Sequence, residues 1–278
     1  MNRFSQFTEA TRFLIVVLCA TLVLVSCDKK ENEEPEPTGS LTWKITDDGT
    51  LIVSGKGEIP DYGSSIDDRF YDINRDAITA VVIEDGITYV GDYAFAVCDN
   101  LRSVIIGNSV TAIGIRAFDY CQQLMSVTIG NSVTSIGESA FSNSVSLTKI
   151  TIPNSVDSIG FWAFDNCSNL TVVNFNAVNC GAMGSKGRWQ VYSAFENCSN
   201  LTTVNIGSEV TRIPTYGFSG CRSISKIVNY ASTPQTFNGS AFNVVNKTTC
   251  KLRVSATSVD AYKAATGWSD FDDIVAIE

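Results

Sequence analysis

The chain contains 278 residues, of which 44% are hydrophobic and 18% are charged, and its net charge is −9. This apolar fraction excludes intrinsic disorder, and the negative charge disfavours nucleic-acid binding, which depends on a surplus of Lys and Arg. The sequence contains no histidine, which excludes His-based catalytic triads and the common zinc sites, so we expect no metal and no cofactor.

The N-terminal segment has the pattern of an export signal. Two arginines precede thirteen residues without a charge, Phe13 to Val25. A membrane-spanning helix needs about 20 such residues, so we interpret residues 1–26 as a signal peptide. The sequence LVSC, which ends at Cys27, resembles a bacterial lipobox and implies that Cys27 carries a lipid. A cysteine that stands there by chance is the alternative.

Residues 27–40 have the composition of a tether. The segment DKKENEEPEP contains five acidic residues, two lysines and nothing that packs into a core. An acidic run behind a lipidated cysteine resembles the export tag of surface lipoproteins in Bacteroidetes-type bacteria. We therefore expect a lipid-anchored outer-membrane protein that faces the cell exterior, with a periplasmic orientation as the alternative.

The body of the chain is built from one repeated phrase. The segments IGIRAFDYCQQLMSVTIGNSVTS and IGESAFSNSVSLTKITIPNSVDS follow one another, and Phe recurs at positions 95, 118, 141 and 164, in steps of 23. A period of 20–29 residues with recurrent Leu and Ile is typical of a leucine-rich repeat solenoid. The LxxVxI segment alternates like a strand, and the AFxxC segment fits one helical turn. We predict an α/β repeat solenoid with a parallel β-sheet and about seven coils.

The phrase IGxxAFxxCxxLxxVxIxxSVTx resembles the BspA-like leucine-rich repeat family, the treponemal type of repeat, over roughly residues 41–278. The resemblance implies a surface-exposed or secreted bacterial protein. Several members of the family bind host matrix or plasma proteins. It also implies an N-terminal β-hairpin cap over 41–65, repeats over 66–249 and a C-terminal cap over 250–278. Two departures from the repeat are Ser144, which replaces its cysteine, and Pro214, which replaces its glycine.

The nine cysteines divide into three groups. Cys19 lies in the signal peptide, and Cys27 is the lipid site. Five share one repeat position and are expected to form a buried, reduced ladder: Cys98, Cys121, Cys167, Cys198 and Cys221. Cys180 and Cys250 lie outside this ladder, so we expect them to be the more reactive or paired thiols.

The alternation of the predicted strands places Lys149, Thr151, Asn174 and Asn205 on the solvent side of the sheet. This side is rich in hydroxyl and amide groups and lacks the pair of carboxylates that a glycosidase requires. It is either a solvated β face or a broad protein-binding surface.

The segment between Phe164 and Phe195 is eight residues longer than the period. It contains residue types that are enriched at protein interfaces, namely Met183, Lys186, Arg188, Trp189 and Tyr192. Either this insertion contacts a partner, or Trp189 folds back over the widened coil. Trp162 lies beside the insertion. It either belongs to an exposed aromatic patch or packs under the loop.

These features predict a non-enzymatic cell-surface lipoprotein whose solenoid binds an extracellular or host protein. The alternative is a glycan-binding accessory lipoprotein that uses Trp189, Trp162 and nearby amides. No motif for nucleic-acid or phosphate binding occurs in the sequence.

Overall fold

The computed structural model describes residues 39–63, 72–186, 191–237 and 240–278. Within these ranges the chain forms a parallel-strand solenoid of about eight turns with a period of about 23 residues and little helix. The predicted repeat solenoid is therefore confirmed. The predicted signal peptide, Cys27 and the tether up to residue 38 lie outside the described residues, as do Arg188 and Trp189, whereas Gly39 and Ser40, predicted as part of the tether, begin the first strand.

An antiparallel hairpin opens the described chain. Strand β1 (Gly39–Ile45) pairs with β2 (Thr50–Glu58) around a turn at Gly49, as the sequence predicts. Gly49 has φ +82°, and a Cβ there would lie 2.3 Å from the carbonyl oxygen of Ala77, so only glycine fits. Because β2 also pairs with strands on both sides of the first coil, the hairpin covers the open end of the solenoid.

Two rows of parallel strands run along the solenoid. We call the first the long-strand row; its members are β3 (Ala80–Ile83), β5 (Ser103–Ile106), β7 (Ser126–Thr128), β9 (Lys149–Ile152), β11 (Val172–Phe175), β15 (Thr203–Ile206), β16 (Lys226–Asn229), β17 (Lys251–Val254) and β18 (Asp273–Ala276). The short-strand row comprises β4 (Ile87–Val90), β6 (Ala112–Ile113), β8 (Ser135–Ile136), β10 (Ser158–Ile159) and β12 (Ala182–Met183). Strands β13 (Ser185–Lys186) and β14 (Val191–Tyr192) form a separate antiparallel pair.

The little helix that is present lies near the two ends. A 3-10 helix covers Asp72–Ala77, and the C-terminal region contains helix α1 (Val259–Ala264) and a 3-10 turn over Trp268–Asp270. Trp268 is fully buried, and its ring centroid lies 6.0 Å from that of Phe242 in the last repeat. The C-terminal segment thus seals the second end of the core, as a solenoid requires.

The repeat phenylalanines stack through the whole core. The ring pairs Phe95–Phe118, Phe118–Phe141 and Phe141–Phe164 have centroids 5.1, 5.2 and 5.4 Å apart and planes within 12° of parallel. The stack continues to Phe242. All of these rings are fully buried, so the phenylalanines that recur in the sequence form one continuous aromatic stack.

The AFxxC segment is a turn rather than the predicted helical turn. Arg116 has φ 53° and Tyr120 has φ 58°, both in the left-handed region that a right-handed helix excludes. The backbone N–H of Phe118 donates to the carbonyl of Ala140 in the next coil at 2.8 Å. The segment therefore satisfies its backbone between coils instead of within one helix.

The repeat glycines are required by the close stacking of the coils and not by a left-handed backbone conformation. Gly114 lacks a positive φ, yet a Cβ on it would lie 2.6 Å from the backbone nitrogen of Asp92. Gly137 would in turn meet the backbone of Gly114 at 2.6 Å. Neighbouring coils touch at these glycines, so any side chain would force them apart.

The long-strand row is interrupted between β7 and β9. In the coils on either side of this point the residue before the strand donates its N–H to the coil behind, as Met125 does to Arg102 at 2.9 Å and Thr171 does to Thr148 at 2.9 Å. Within residues 72–186, neither Thr148 nor Lys149 makes such a bond to Met125, and the sheet divides here into separate sheets of ten and six strands. We call this gap the fissure.

Pro153 accounts for one missing rung of the ladder. It occupies the position at which Gly107 donates its N–H to Ile83 at 2.8 Å and Asn176 donates to Ile152 at 3.0 Å. Proline has no N–H to donate. The distortion extends back to β7, which has three residues where its neighbours have four.

Candidate functional site

Hydrogen bonds hold the predicted solvent-facing residues in a fixed row. The Asn174 side-chain amide donates to Thr151 Oγ1 at 2.9 Å, and that of Asn205 donates to Asn174 Oδ1 at 2.8 Å. The three residues stand in register on β9, β11 and β15. The structure therefore brings Thr151, Asn174 and Asn205 together as one ordered polar ladder on the outer side of the long-strand row.

Lysines border this ladder on the same strands. Lys149 is exposed on β9, two residues before Thr151. Lys226 and Lys251 are also exposed and are direct neighbours in register on β16 and β17. Arg253, by contrast, is paired with Asp273 at 3.2 Å. This end of the outer face is thus positively charged although the whole chain is acidic.

A cavity of about 720 Å³ opens at the fissure, adjoins the ladder at Thr151 and continues along the turns that follow β9, β11 and β15. Val127, on its floor, is only half-buried, whereas the equivalent Val104 and Ile150 are each 1% exposed. Sequence reasoning missed this site. The available signal is Pro153, because the phrase reads IGNSV in the two preceding repeats and IPNSV in this one.

The long insertion is a hairpin excursion that begins after β12. Met183, predicted to contact a partner, is instead fully buried. It pairs in register with Ile159 and so takes the inward position of the repeat. The prediction for Met183 is wrong because the insertion starts one residue later, at Gly184, where φ is +81°. Lys186 lies in β13, on the antiparallel pair that this excursion forms.

Three aromatic rings cluster at the base of the excursion. The Trp162 ring centroid lies 4.9 Å from that of Tyr192 and 5.3 Å from that of Phe161, with interplanar angles of 75° and 74°. All three side chains are half-buried. Because the rings meet edge to face, the described cluster offers a packed edge rather than a flat platform for a sugar ring.

The five repeat cysteines form the predicted ladder. All are buried and free, and the Cys121 thiol donates to the carbonyl of Phe95 in the preceding coil at 3.2 Å. Burial raises the pKa of Cys121 and Cys167 well above the usual range, so these thiols stay protonated. They contribute to packing and to bonds between coils.

Cys180 and Cys250 do not match their predicted reactivity. Both are fully buried and free. Burial raises the pKa of Cys180 to about 12 and that of Cys250 to about 11, which suppresses the thiolate form. The Cys180 thiol donates to the carbonyl of Ala182 at 3.3 Å. Their place outside the repeat position is therefore not a sign of exposure.

The fold, with its stacked short parallel strands and one phenylalanine per coil, defines a bacterial-type leucine-rich repeat solenoid. Residues 64–185 and 191–266 match the BspA type leucine-rich repeat region in six copies. The chain belongs to this family. Leucine-rich repeat proteins generally mediate protein interactions, and their solenoids are typically non-enzymatic scaffolds.

Solved leucine-rich repeat proteins resemble the chain. A Treponema pallidum leucine-rich repeat protein is 24% identical, with 70% of this chain and 85% of that chain covered and a TM-score of 0.47. A leucine-rich repeat protein from Eubacterium ventriosum is 20% identical, with 84% of this chain and 82% of that chain covered and a TM-score of 0.44. No curated protein sequence shows significant similarity to the chain.

Two further properties concern only the described part of the chain. None of its helices has the length and apolar character needed to cross a bilayer. It also contains no group of three or more Cys, Asp or Glu side chains arranged to hold a metal ion.

Proposed function

We propose that the chain is a non-enzymatic, lipid-anchored surface protein that binds an extracellular protein through the outer side of its long-strand row. The observation that carries the proposal is the ladder of Thr151, Asn174 and Asn205, which presents polar groups at fixed spacing on a rigid sheet. Preordered polar groups lose little conformational freedom when a partner binds.

The chemistry of this face favours a macromolecular partner. The ladder supplies donors and acceptors at the approximately 4.8 Å spacing of neighbouring strands, and Lys149 adds a positive charge beside it. Such a surface is extended and flat, unlike the deep apolar pocket that a small-molecule enzyme uses. The absence of histidine from the sequence further supports a binding role over catalysis.

Export and anchoring are part of the same proposal. The apolar run before Cys27 and the acidic run after it support a mature N-terminus at Cys27 that carries lipid, with the solenoid outside the cell. We expect a clickable fatty acid to label the wild type in cells and not the Cys27→Ala variant. Equal labelling of both would reject the anchor, and resistance of the protein to protease on intact cells would reject surface exposure.

The binding experiment uses the mature chain with Cys27→Ser, immobilised and exposed to host plasma and matrix proteins. We expect a retained protein to lose at least tenfold in affinity, about 1.4 kcal/mol, when Asn174 and Asn205 are both changed to Ala. Ile115→Ala, an exposed residue on a turn away from this ladder, is the matched control. Binding that the double variant leaves unchanged would move the site elsewhere.

The insertion provides the second surface to test. Arg188 and Trp189 belong to the excursion between β13 and β14, and their residue types are common in interface hot spots. In the same assay, Trp189→Ala separates the two surfaces. A loss with Trp189→Ala and none with the ladder variant would assign the partner to the insertion.

A further inference from the structure

We propose that the fissure between β7 and β9 is a binding site for an uncharged oligosaccharide. This inference adds a small-ligand site to the protein-binding function proposed above and does not depend on it. It rests on the opening between the two coils, on the uncharged polar groups of the adjoining cavity, and on the charges of its lining.

The fissure is a local opening in an otherwise continuous stack of coils. On the far side of the same two coils, Ser158 donates its N–H to Thr134 at 3.2 Å and Gly160 donates to Ile136 at 2.8 Å. The Phe118 and Phe141 rings between them remain in contact. The two coils therefore lose their strand pairing at β7 and β9 while they stay bonded to each other on the short-strand side.

The lining combines a small apolar floor with uncharged polar walls. Val127, Ile129 and Pro153 supply aliphatic surface. The hydroxyl and amide groups around them belong to Thr128, Thr151, Asn131, Asn154, Asn176 and Ser208. A sugar ring presents C–H groups on its faces and hydroxyls on its rim, and this lining matches both. Neutral donors and acceptors set around an apolar patch are the usual composition of a site for a polar, uncharged ligand.

Two of these groups keep hydrogen-bonding capacity that the protein does not use. Thr151 Oγ1 accepts a bond from the Asn174 amide, which leaves the Thr151 hydroxyl hydrogen to donate. In the repeat ladder, the N–H of Asn131 donates to Asn108 Oδ1 at 2.9 Å. Within residues 72–186, Asn154 makes no such bond to Asn131, so this ladder ends at Asn131, whose Oδ1 is available as an acceptor.

The charges of the lining exclude anionic sugars. Among the described residues that line the cavity, Glu209 is the charged one, and no Lys or Arg is present. A second cavity of about 750 Å³ continues along the same edge and shares Thr128, Ile129 and Asn131. It adds Glu84 and Asp85, which are also acidic. Sulfated or uronic-acid chains would be repelled, whereas an uncharged chain can extend from one cavity into the next.

The test uses the mature ¹⁵N-labelled chain with Cys27→Ser, titrated to millimolar concentration with maltotriose, xylotriose and chitotriose, and separately with a heparin tetrasaccharide. We expect at least one uncharged trisaccharide to shift the amide resonances of Thr128, Asn131 and Asn154, and heparin not to shift them. The proposal is overturned if no uncharged trisaccharide shifts these amides. A shift that only heparin causes would overturn it as well.

Two proline variants give a matched comparison. Pro153→Gly restores the N–H that the ladder lacks, so we expect it to narrow the fissure and to weaken trisaccharide binding at least tenfold. Pro214→Gly makes the same change in the sixth repeat, away from the fissure lining, and should leave binding unchanged. Asn154→Ala, at an exposed position, should also weaken binding and serves if Pro153→Gly does not fold. Equal affinity of all three variants for the trisaccharide would reject the site. The proposed function is tested separately, by binding of the protein partner.

Discussion

The Phe118 and Phe141 rings lie 5.2 Å apart and 3° from parallel, directly between the two coils whose long strands fail to pair. This contact is as close as that of the neighbouring pair Phe141–Phe164, which joins two coils whose long strands, β9 and β11, are paired. The core thus holds the coils together while the sheet above it opens. Side-chain stacking and backbone pairing are separable in this solenoid.

The first prediction concerns the core stack. Phe118→Ala removes a fully buried ring that contacts two others, and we expect it to lower the free energy of unfolding by about 3–5 kcal/mol. Urea denaturation followed by circular dichroism measures the change. Ile115→Ala, at a side chain that is 40% exposed, should stay within about 0.5 kcal/mol of the wild type. Equal stability of the two variants would place Phe118 outside the core.

The second prediction concerns the gap in the cysteine ladder. Ser144 is fully buried, and its hydroxyl has no hydrogen-bond partner among the described residues. An unsatisfied buried hydroxyl costs about 1–3 kcal/mol, so Ser144→Cys should stabilise the protein by about 1 kcal/mol. The reverse change at the equivalent position, Cys121→Ser, should destabilise it. Thermal unfolding compares the two, and a lower melting temperature for Ser144→Cys would contradict this account.

The third prediction concerns pH. Burial raises the pKa of Asp119, although the Asn143 amide donates to its Oδ1 at 3.2 Å. Because the pKa is higher in the folded state, the contribution of Asp119 to stability is complete below its unfolded pKa of about 3.9 and is lost as pH rises through the folded value. Asp119→Asn keeps the acceptor and removes the charge. Its advantage over the wild type in urea denaturation should grow from pH 4 to pH 7, and a constant difference would contradict it.

The fourth prediction concerns the fissure itself. The backbone N–H of Thr171 and that of Thr202 donate to the preceding coil at 2.9 and 3.1 Å, whereas that of Thr148 has no such bond within residues 72–186. We expect the Thr148 amide to exchange with deuterium much faster than the other two, because exchange follows local opening. Hydrogen exchange measured by NMR gives the three rates. Equal protection would mean that the strands pair in solution.

The periodic part of the fold was predictable from the sequence. The 23-residue spacing of Phe and the alternation around Val127 and Ile150 gave the strands, the core stack and the solvent-facing row. Each of these depends on a pattern that repeats, and repetition averages out the influence of single residues.

The features that the sequence did not reveal depend on single residues or on backbone conformation. Met183 looked like a contact residue because its inward position becomes visible only through pairing with Ile159. The AFxxC turn has the hydrophobic spacing of a helix, and only the positive φ of Arg116 and Tyr120 distinguishes it. The fissure coincides with one proline, Pro153, in a repeat that otherwise keeps the phrase, and a single residue of this kind leaves the periodic pattern unchanged.

The bonds between coils join equivalent positions, and this makes the length of the molecule adjustable in whole units. Thr111 Oγ1 donates to the Thr88 carbonyl and Thr134 Oγ1 to the Thr111 carbonyl, each across 23 residues of sequence. Duplicating one such unit in the gene would therefore insert a coil that fits its neighbours on both sides and leaves both ends intact. The solenoid would lengthen by about 4.8 Å, the spacing of neighbouring strands, for each copy.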